Sequence, residues 1–185
     1  IADIGGTSLR LAHQHGDDDA LCDPAVLACA DFATVDDAFA DYCAKHKLEI
    51  DMLCLAVAGP VTGPQVDITN NHWQFDAGKV AAAMNVRAYL LINDFTAQAM
   101  AHRDLLQQDR SLPTNHRQIL RGGTPDHSTP LLVIGPGTGL GVAALVPAGD
   151  AVQVIEGEGG HVSYAPRNPA EEISLAHLAK KLGHV

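Results

Sequence analysis

Along the chain the apolar positions change period several times, and each change marks an element. Ser8-Leu9-Arg10-Leu11-Ala12 alternates, so residues 1–15 read as a β-hairpin turning at Gly5-Gly6-Thr7. Asp17-Asp18-Asp19 is then a solvated loop. Thr34 with Asp37 makes a capping box, and Val35, Ala38, Phe39 and Tyr42 follow at helical spacing, which predicts a helix to about Lys47. Met52 to Ala58 is a continuous apolar run, the pattern of a strand buried on both faces in a sheet covered by helices. Val66-Asp67-Ile68 is short and strand-like, Asp76 can cap a helix over 77–84, and Tyr89 to Ile92 is a second buried strand. It stops at Asn93-Asp94, and Thr96 to His102 reads as the next helix.

Between Arg103 and Pro130 the periodicity fades and Gln, Pro, Thr, Gly and His accumulate, the composition of a crossover between lobes. A domain boundary is therefore expected near Ser111, with 1–110 as one α/β lobe and 111–185 as the start of a second. Leu131–Ile134 and Val142–Val146 flank the run Gly135-Pro136-Gly137-Thr138-Gly139-Leu140-Gly141 as another hairpin, and Val152–Ile155 leads into Glu156-Gly157-Glu158-Gly159-Gly160-His161. Ala170–Leu182 reads as a helix, with Glu171 and Glu172 early, Lys180 and Lys181 late, and Gly183 as its stop.

Composition narrows the function classes. At 185 residues, 46% hydrophobic and 18% charged, the chain can bury a core. A formal net charge of -10 and a pI near 5.3 argue against a nucleic-acid or membrane-surface binder, since both partners are held by surplus Lys and Arg. With no apolar stretch long enough to span a bilayer and no start resembling a secretory signal, the expected location is the cytoplasm. The first residue, Ile1, lies inside a strand already under way, so a few leading residues are expected to precede it. Cys22, Cys29, Cys43 and Cys54 form no CxxC pair, which makes reduced thiols the expectation, and the ten histidines show no HExxH pattern.

The two glycine turns, Asp3-Ile4-Gly5-Gly6-Thr7 and the run 135–141, have the makings of phosphate nests, because glycine admits positive φ and keeps side chains away from main-chain N–H groups. Asp3, at a strand end beside such a nest, could hold the hydration shell of Mg²⁺. The second turn is no dinucleotide fingerprint: Val142 stands where GxGxxG needs its last glycine, and a strand follows. GxxxxGK[ST] is absent as well. Asp94 at the end of a strand suits a base that accepts a hydroxyl proton in phosphoryl transfer, and it suits equally the N-cap of the following helix. Glu158 and His161 add a polar pair on a glycine-softened loop.

Taken in order, these segments resemble bacterial glucokinases of the proteobacterial type, within the sugar kinase, actin and Hsp70 superfamily. The resemblance runs over essentially the whole chain and is carried by 2–7, Ala58-Gly59-Pro60-Val61-Thr62-Gly63, Thr69-Asn70-Asn71-His72-Trp73, 92–97, 135–141 and 157–161. It implies a two-lobed ribonuclease H-like (actin-like ATPase) α/β fold, the small lobe nearly complete and the large lobe truncated. It also implies transfer of the γ-phosphoryl group of ATP, with Mg²⁺, to the 6-hydroxyl of glucose at the entry to glycolysis. Asp94 would be the base. Asn93, Asp94, Gly137, Thr138, Glu158 and His161 would contact the sugar. Ala2, Asp3, Ile4, Gly5, Gly6 and Thr7, with Gly137, Thr138 and Gly139, would cradle the nucleotide, and closure of the lobes would expel water.

The related ROK kinases carry a cysteine-rich zinc motif after their Glu/His segment. Here Val162-Ser163-Tyr164-Ala165-Pro166 stands there and no cysteine follows, so no zinc is expected. The resemblance also implies parts beyond Val185, among them a further glucose-contacting glutamate, an adenosine-binding glycine turn and a terminal helix, and the chain alone is expected to be inactive. Kinases of mannose, fructose or an N-acetylhexosamine, and a non-catalytic sugar sensor of the same fold, stay open, as does the homodimer common in the family.

Overall fold

A computed structural model describes residues 1–16, 20–68, 71–103, 118, 122–123, 126–136 and 139–183. Three strands, β1 (Ala2–Ile4), β2 (Ser8–His13) and β3 (Cys22–Ala28), open the chain and lead to helix α1 (Val35–His46). Strand β4 (Met52–Val57), the two-stranded ribbon β5 (Gln65–Asp67) and β6 (Gln74–Asp76), helix α2 (Ala77–Ala83), strand β7 (Ala88–Asn93) and helix α3 (Asp94–Ala101) come next. The first sheet has the order β3-β2-β1-β4-β7, with β1, β4 and β7 parallel and β2 and β3 antiparallel. Strands β8 (Leu131–Pro136), β9 (Leu140–Ala148) and β10 (Ala151–Gly157) form a second, antiparallel sheet, and helix α4 (Pro169–Leu182) ends the described chain.

Local chemistry fixes the helix ends. Thr34 Oγ1 accepts the Asp37 N–H at 3.2 Å while Asp37 Oδ2 accepts the Thr34 N–H at 3.1 Å, the reciprocal capping box the sequence predicts. Asp76 Oδ1 accepts the Lys79 N–H at 2.9 Å and starts α2. Asn168 accepts the Glu171 N–H at 3.0 Å to start α4, which stops at Gly183 in the left-handed region. Val35, Ala38, Phe39 and Tyr42 of α1 join Ile4, Leu9, Leu55 and Trp73 in the main core.

Three expectations need correction. Strand β4 is not buried on both faces: Leu53, Leu55 and Val57 face the core, while Cys54 and Ala56 on the other face are half-buried and Met52 is exposed. Strand β7, at the rim of its sheet, leaves Tyr89 and Leu90 exposed, and since successive strand residues point to opposite faces, neither face is fully covered there. β3 has no counterpart among the elements predicted from the sequence. Pro24 and an irregular register between Leu11↔Ala25 and His13↔Cys22 obscure its alternation, a pattern compatible with an edge strand.

Helix α3 couples the sheets. It leaves β7 of the first, yet Phe95, Ala99 and Met100 pack with Ala143, Leu145, Leu131 and Val133 of the second. Ser111, the expected boundary, and the Asp17–Asp19 loop lie outside the described residues.

Candidate active site

Parallel pairing sets the site. Ile4 lies opposite Val57 and Val57 opposite Asn93, so β1, β4 and β7 end together, and the segments that leave their carboxyl ends gather along one edge. Open α/β sheets bind ligands at that carboxyl edge. It brings together the Gly5-Gly6-Thr7 turn, Ala58-Gly59-Pro60 and Asn93-Asp94.

Asn93, not Asp94, caps α3. Its Oδ1 accepts the N–H groups of Phe95 at 2.8 Å and Thr96 at 3.1 Å, and its Nδ2 donates to the Gly59 carbonyl at 3.0 Å and to Asp94 Oδ1 at 3.0 Å. The capping alternative for Asp94 thus falls away. Asp94 Oδ1 accepts a further bond from the Phe95 N–H at 2.9 Å, and its Oδ2 makes no hydrogen bond among the described residues. Burial raises the Asp94 pKa above the ordinary carboxylate value, the Phe95 N–H opposes the rise, and the charge of Asp3 adds to it. A half-buried carboxylate held on one oxygen, with its basicity raised, has the properties of a proton acceptor.

Asp3 sits across the β1–β2 pair from Arg10, whose Nη1 donates to Asp3 Oδ2 at 2.8 Å; both side chains are largely exposed. The first turn is closed by the Gly5 N–H on the Ser8 carbonyl at 2.9 Å. Asn71 braces it from outside, Nδ2 donating to the Gly5 carbonyl at 2.9 Å while Oδ1 accepts the Trp73 N–H. On the other side, the Thr96 hydroxyl donates to Glu156 Oε1 at 3.0 Å, tying the start of α3 to the end of β10, from which the Glu158–His161 loop leaves. His161 Nε2 lies 3.7 Å from Glu158 Oε2, and both are exposed.

The sequence model of the glucokinase family matches residues 1–185. The chain belongs to the glucokinase family. It is 38% identical over 186 residues to the glucokinase of Hahella chejuensis, covering 100% of this chain and 56% of that one. Among solved structures it is similar to glucokinase from an Antarctic psychrotroph (TM-score 0.78, 32% identity, 100% of this chain and 57% of that one). It is also similar to glucokinase from Balamuthia mandrillaris in complex with glucose (TM-score 0.70, 25% identity, 98% and 54%). The chain thus spans about half the length of these relatives.

Within this glucokinase-family fold, the edge gathers Asp3, Gly5, Gly6, Thr7, Asn93 and Asp94, with Ala2 and Ile4 buried in β1 behind it. Glu158 and His161 contact each other and make no hydrogen bond to Asn93 or Asp94. Gly137 and Thr138 lie outside the described residues, as do Thr69 and Asn70. Several glycines also make close approaches that the sequence does not show. Gly59 takes positive φ, at +126°, and Gly5 does not. A Cβ on Gly135 would come 2.7 Å from Phe95 Cζ, and one on Gly160 2.0 Å from the Leu140 carbonyl oxygen, so these glycines make room for neighbours rather than for unusual φ. Sequence reasoning assigned no site role to Arg10, Asn71, Thr96 or Glu156. Their polar types were visible, but the partners are as much as 66 residues away for Asn71 and 60 for Thr96.

Proposed function

We propose that the chain supplies the catalytic base and part of the phosphate and sugar contacts of an ATP-dependent glucose kinase. The observation that carries this is Asn93 acting as both cap and clamp, which leaves Asp94 at the sheet's carboxyl edge with raised basicity. Asp94 accepts the proton of the glucose 6-hydroxyl, O6 forms a bond to the γ-phosphorus, and the bond from phosphorus to the β,γ-bridging oxygen breaks, releasing ADP. Products are glucose 6-phosphate and a protonated Asp94, which returns its proton to water.

Glu158 and His161, with Gly137 and Thr138, bond the sugar hydroxyls, while Asn93, whose two amide protons go to Gly59 and Asp94 and whose oxygen accepts from Phe95 and Thr96, positions Asp94 instead of the sugar. In this reading Asp3 and the Gly5-Gly6-Thr7 turn, with Gly137–Gly139, would cradle the phosphates, and Ala2 and Ile4, buried in β1, would hold that turn in place. A magnesium ion carried by the nucleotide fits the hard oxygen of Asp3, which would hold it through water, and would neutralise phosphate charge. The glucose complex of the Balamuthia mandrillaris relative supports the choice of sugar. Among described residues no helix is long and apolar enough to cross a membrane, and the -10 charge disfavours nucleic acid as a partner; the reading is of an enzyme of the cytoplasm whose partners are glucose and ATP, with a homodimer as its assembly to test. The test is a coupled assay on the full-length gene product with glucose, mannose, fructose and N-acetylglucosamine. Preference for glucose is expected. Preference for another hexose would move the substrate assignment, and glucose binding without turnover would replace the kinase by a sensor.

A further inference from the structure

Far from Asp94, at the β2–β3 edge of the first sheet, three metal-ligating side chains converge. His13 ends β2 and pairs with Cys22, the first residue of β3, so their side chains share one face; His15, two residues on, returns to that face. One donor atom from each of His13, His15 and Cys22 lies within 4.8 Å of the others. The irregular register beside them, with Asp23 in the left-handed region at φ 46°, is what brings Cys22 level with His13, a way in which bulges re-aim side chains.

The hydrogen bonds fix which nitrogen of His13 is available. The Tyr42 hydroxyl has one proton and donates it to the Asp23 carbonyl at 2.9 Å. Its contact with His13 Nδ1 at 3.2 Å is therefore one in which Nδ1–H donates, and neutral His13 carries its lone pair on Nε2. That lone pair lies 3.8 Å from Asp23 Oδ2, and His46 Nδ1 lies 3.3 Å from the same carboxylate. A lone pair facing a carboxylate is the electrostatics of a place for a cation. A buried N–H partner that orients a ligating imidazole is the usual outer support of a metal site.

We propose that His13, His15 and Cys22 bind one divalent transition metal of the zinc class, with water or the Asp23 carboxylate in the fourth position. Nitrogen and sulfur donors select zinc and its neighbours over Mg²⁺, which demands oxygen. Zinc bonds of about 2.0–2.3 Å require donors roughly 3.5 Å apart, so the side chains close by about 1 Å on binding. His15 is exposed beyond the strand end and has room to turn. The Cys22 thiol gives up its proton to solvent as the metal–sulfur bond forms. The expectation of no zinc rested on the absent CxxC and the absent ROK motif; this donor set is a different one, at the opposite edge of the sheet from β7.

The test is titration of the metal-stripped, full-length protein with Zn²⁺ against a chromophoric chelator in excess Mg²⁺, and with Co²⁺ followed by absorbance. Expected are one zinc per chain, a thiolate-to-cobalt charge-transfer band, affinity reduced at least about tenfold by His15→Ala or Cys22→Ser, and no change in Cys54→Ser. Loss of the competition for zinc, a cobalt spectrum without a thiolate band, or equal affinity in His15→Ala and wild type would each overturn it. Should Cys22→Ser fail to fold, His15→Ala, on an exposed side chain, decides alone.

Discussion

Gly141→Ala separates a glycine kept for packing from one kept for phosphate. A Cβ there would stand 1.8 Å from Phe95 Cε2, 2.1 Å from Cδ2 and 2.2 Å from Cζ. Carbon atoms rest about 3.5 Å apart or more, so the ring must retreat by about 1.7 Å. Its surroundings resist: Phe95 packs on Ala99, Ala143 and Leu145, all at 2% exposure or less. Overpacking of this kind costs about 1–3 kcal/mol, and removing a strand glycine returns about 0.5–1, leaving a loss of roughly 1–2 kcal/mol. Urea unfolding of the full-length protein reads it as a lower midpoint at unchanged slope. Because the Phe95 N–H holds both Asn93 Oδ1 and Asp94 Oδ1, the displacement reaches the carboxylate, and a shift of about 1 Å there lowers kcat about 100-fold. Gly139→Ala, with nothing within 4 Å of its Cβ, is the contrast and should leave stability within about 0.5 kcal/mol. Adding Phe95→Leu to Gly141→Ala should cost less than the two changes summed, since the clash goes with the ring. If Gly141→Ala keeps wild-type stability and kcat, the packing explanation is wrong.

Asn93→Ala strips α3 of its cap and the Gly59 carbonyl of its partner, and should cost about 1–2 kcal/mol in urea unfolding together with a fall in kcat. Asp3 raises the Asp94 pKa, so Asp3→Asn should move the acidic limb of the kcat/KM profile to lower pH; an unmoved limb would show that the two carboxylates are not coupled. Since the folded pKa of Asp94 is raised, its contribution to stability is lost as pH climbs from the model-peptide value of 3.8 through that raised pKa. Asp94→Asn should therefore unfold at equal or higher urea than wild type at neutral pH, and a clear drop would contradict the desolvation argument.

Elements whose signals are local were legible in the sequence. The Thr34/Asp37 box, the Asp76 cap and the Gly183 stop each act within a few residues, and α1, α2 and α4 fall where those signals put them. β3 was hidden because its register jump and Pro24 break the alternation that identifies a strand. At the site, the residue types at 93 and 94 were readable, but which of them caps α3 was not, since both are good caps and only the reach of Asn93 to Gly59 decides it. The packing of Phe95 against the glycines at 135 and 141 was hidden for a related reason: the ring is some 40 residues earlier in the chain. Pairing of His13 with Cys22 depends on the same register jump that concealed β3.

The most direct measurement of the central claim compares Asp94→Asn with wild type in the full-length protein, taking kcat from the coupled assay and glucose affinity from calorimetry. Substitution removes the proton acceptor while amide and carboxylate keep nearly the same shape. A loss of about 10²–10⁴ in kcat with glucose affinity changed only slightly is the predicted result. A variant that binds glucose and retains wild-type kcat would contradict Asp94 as the base.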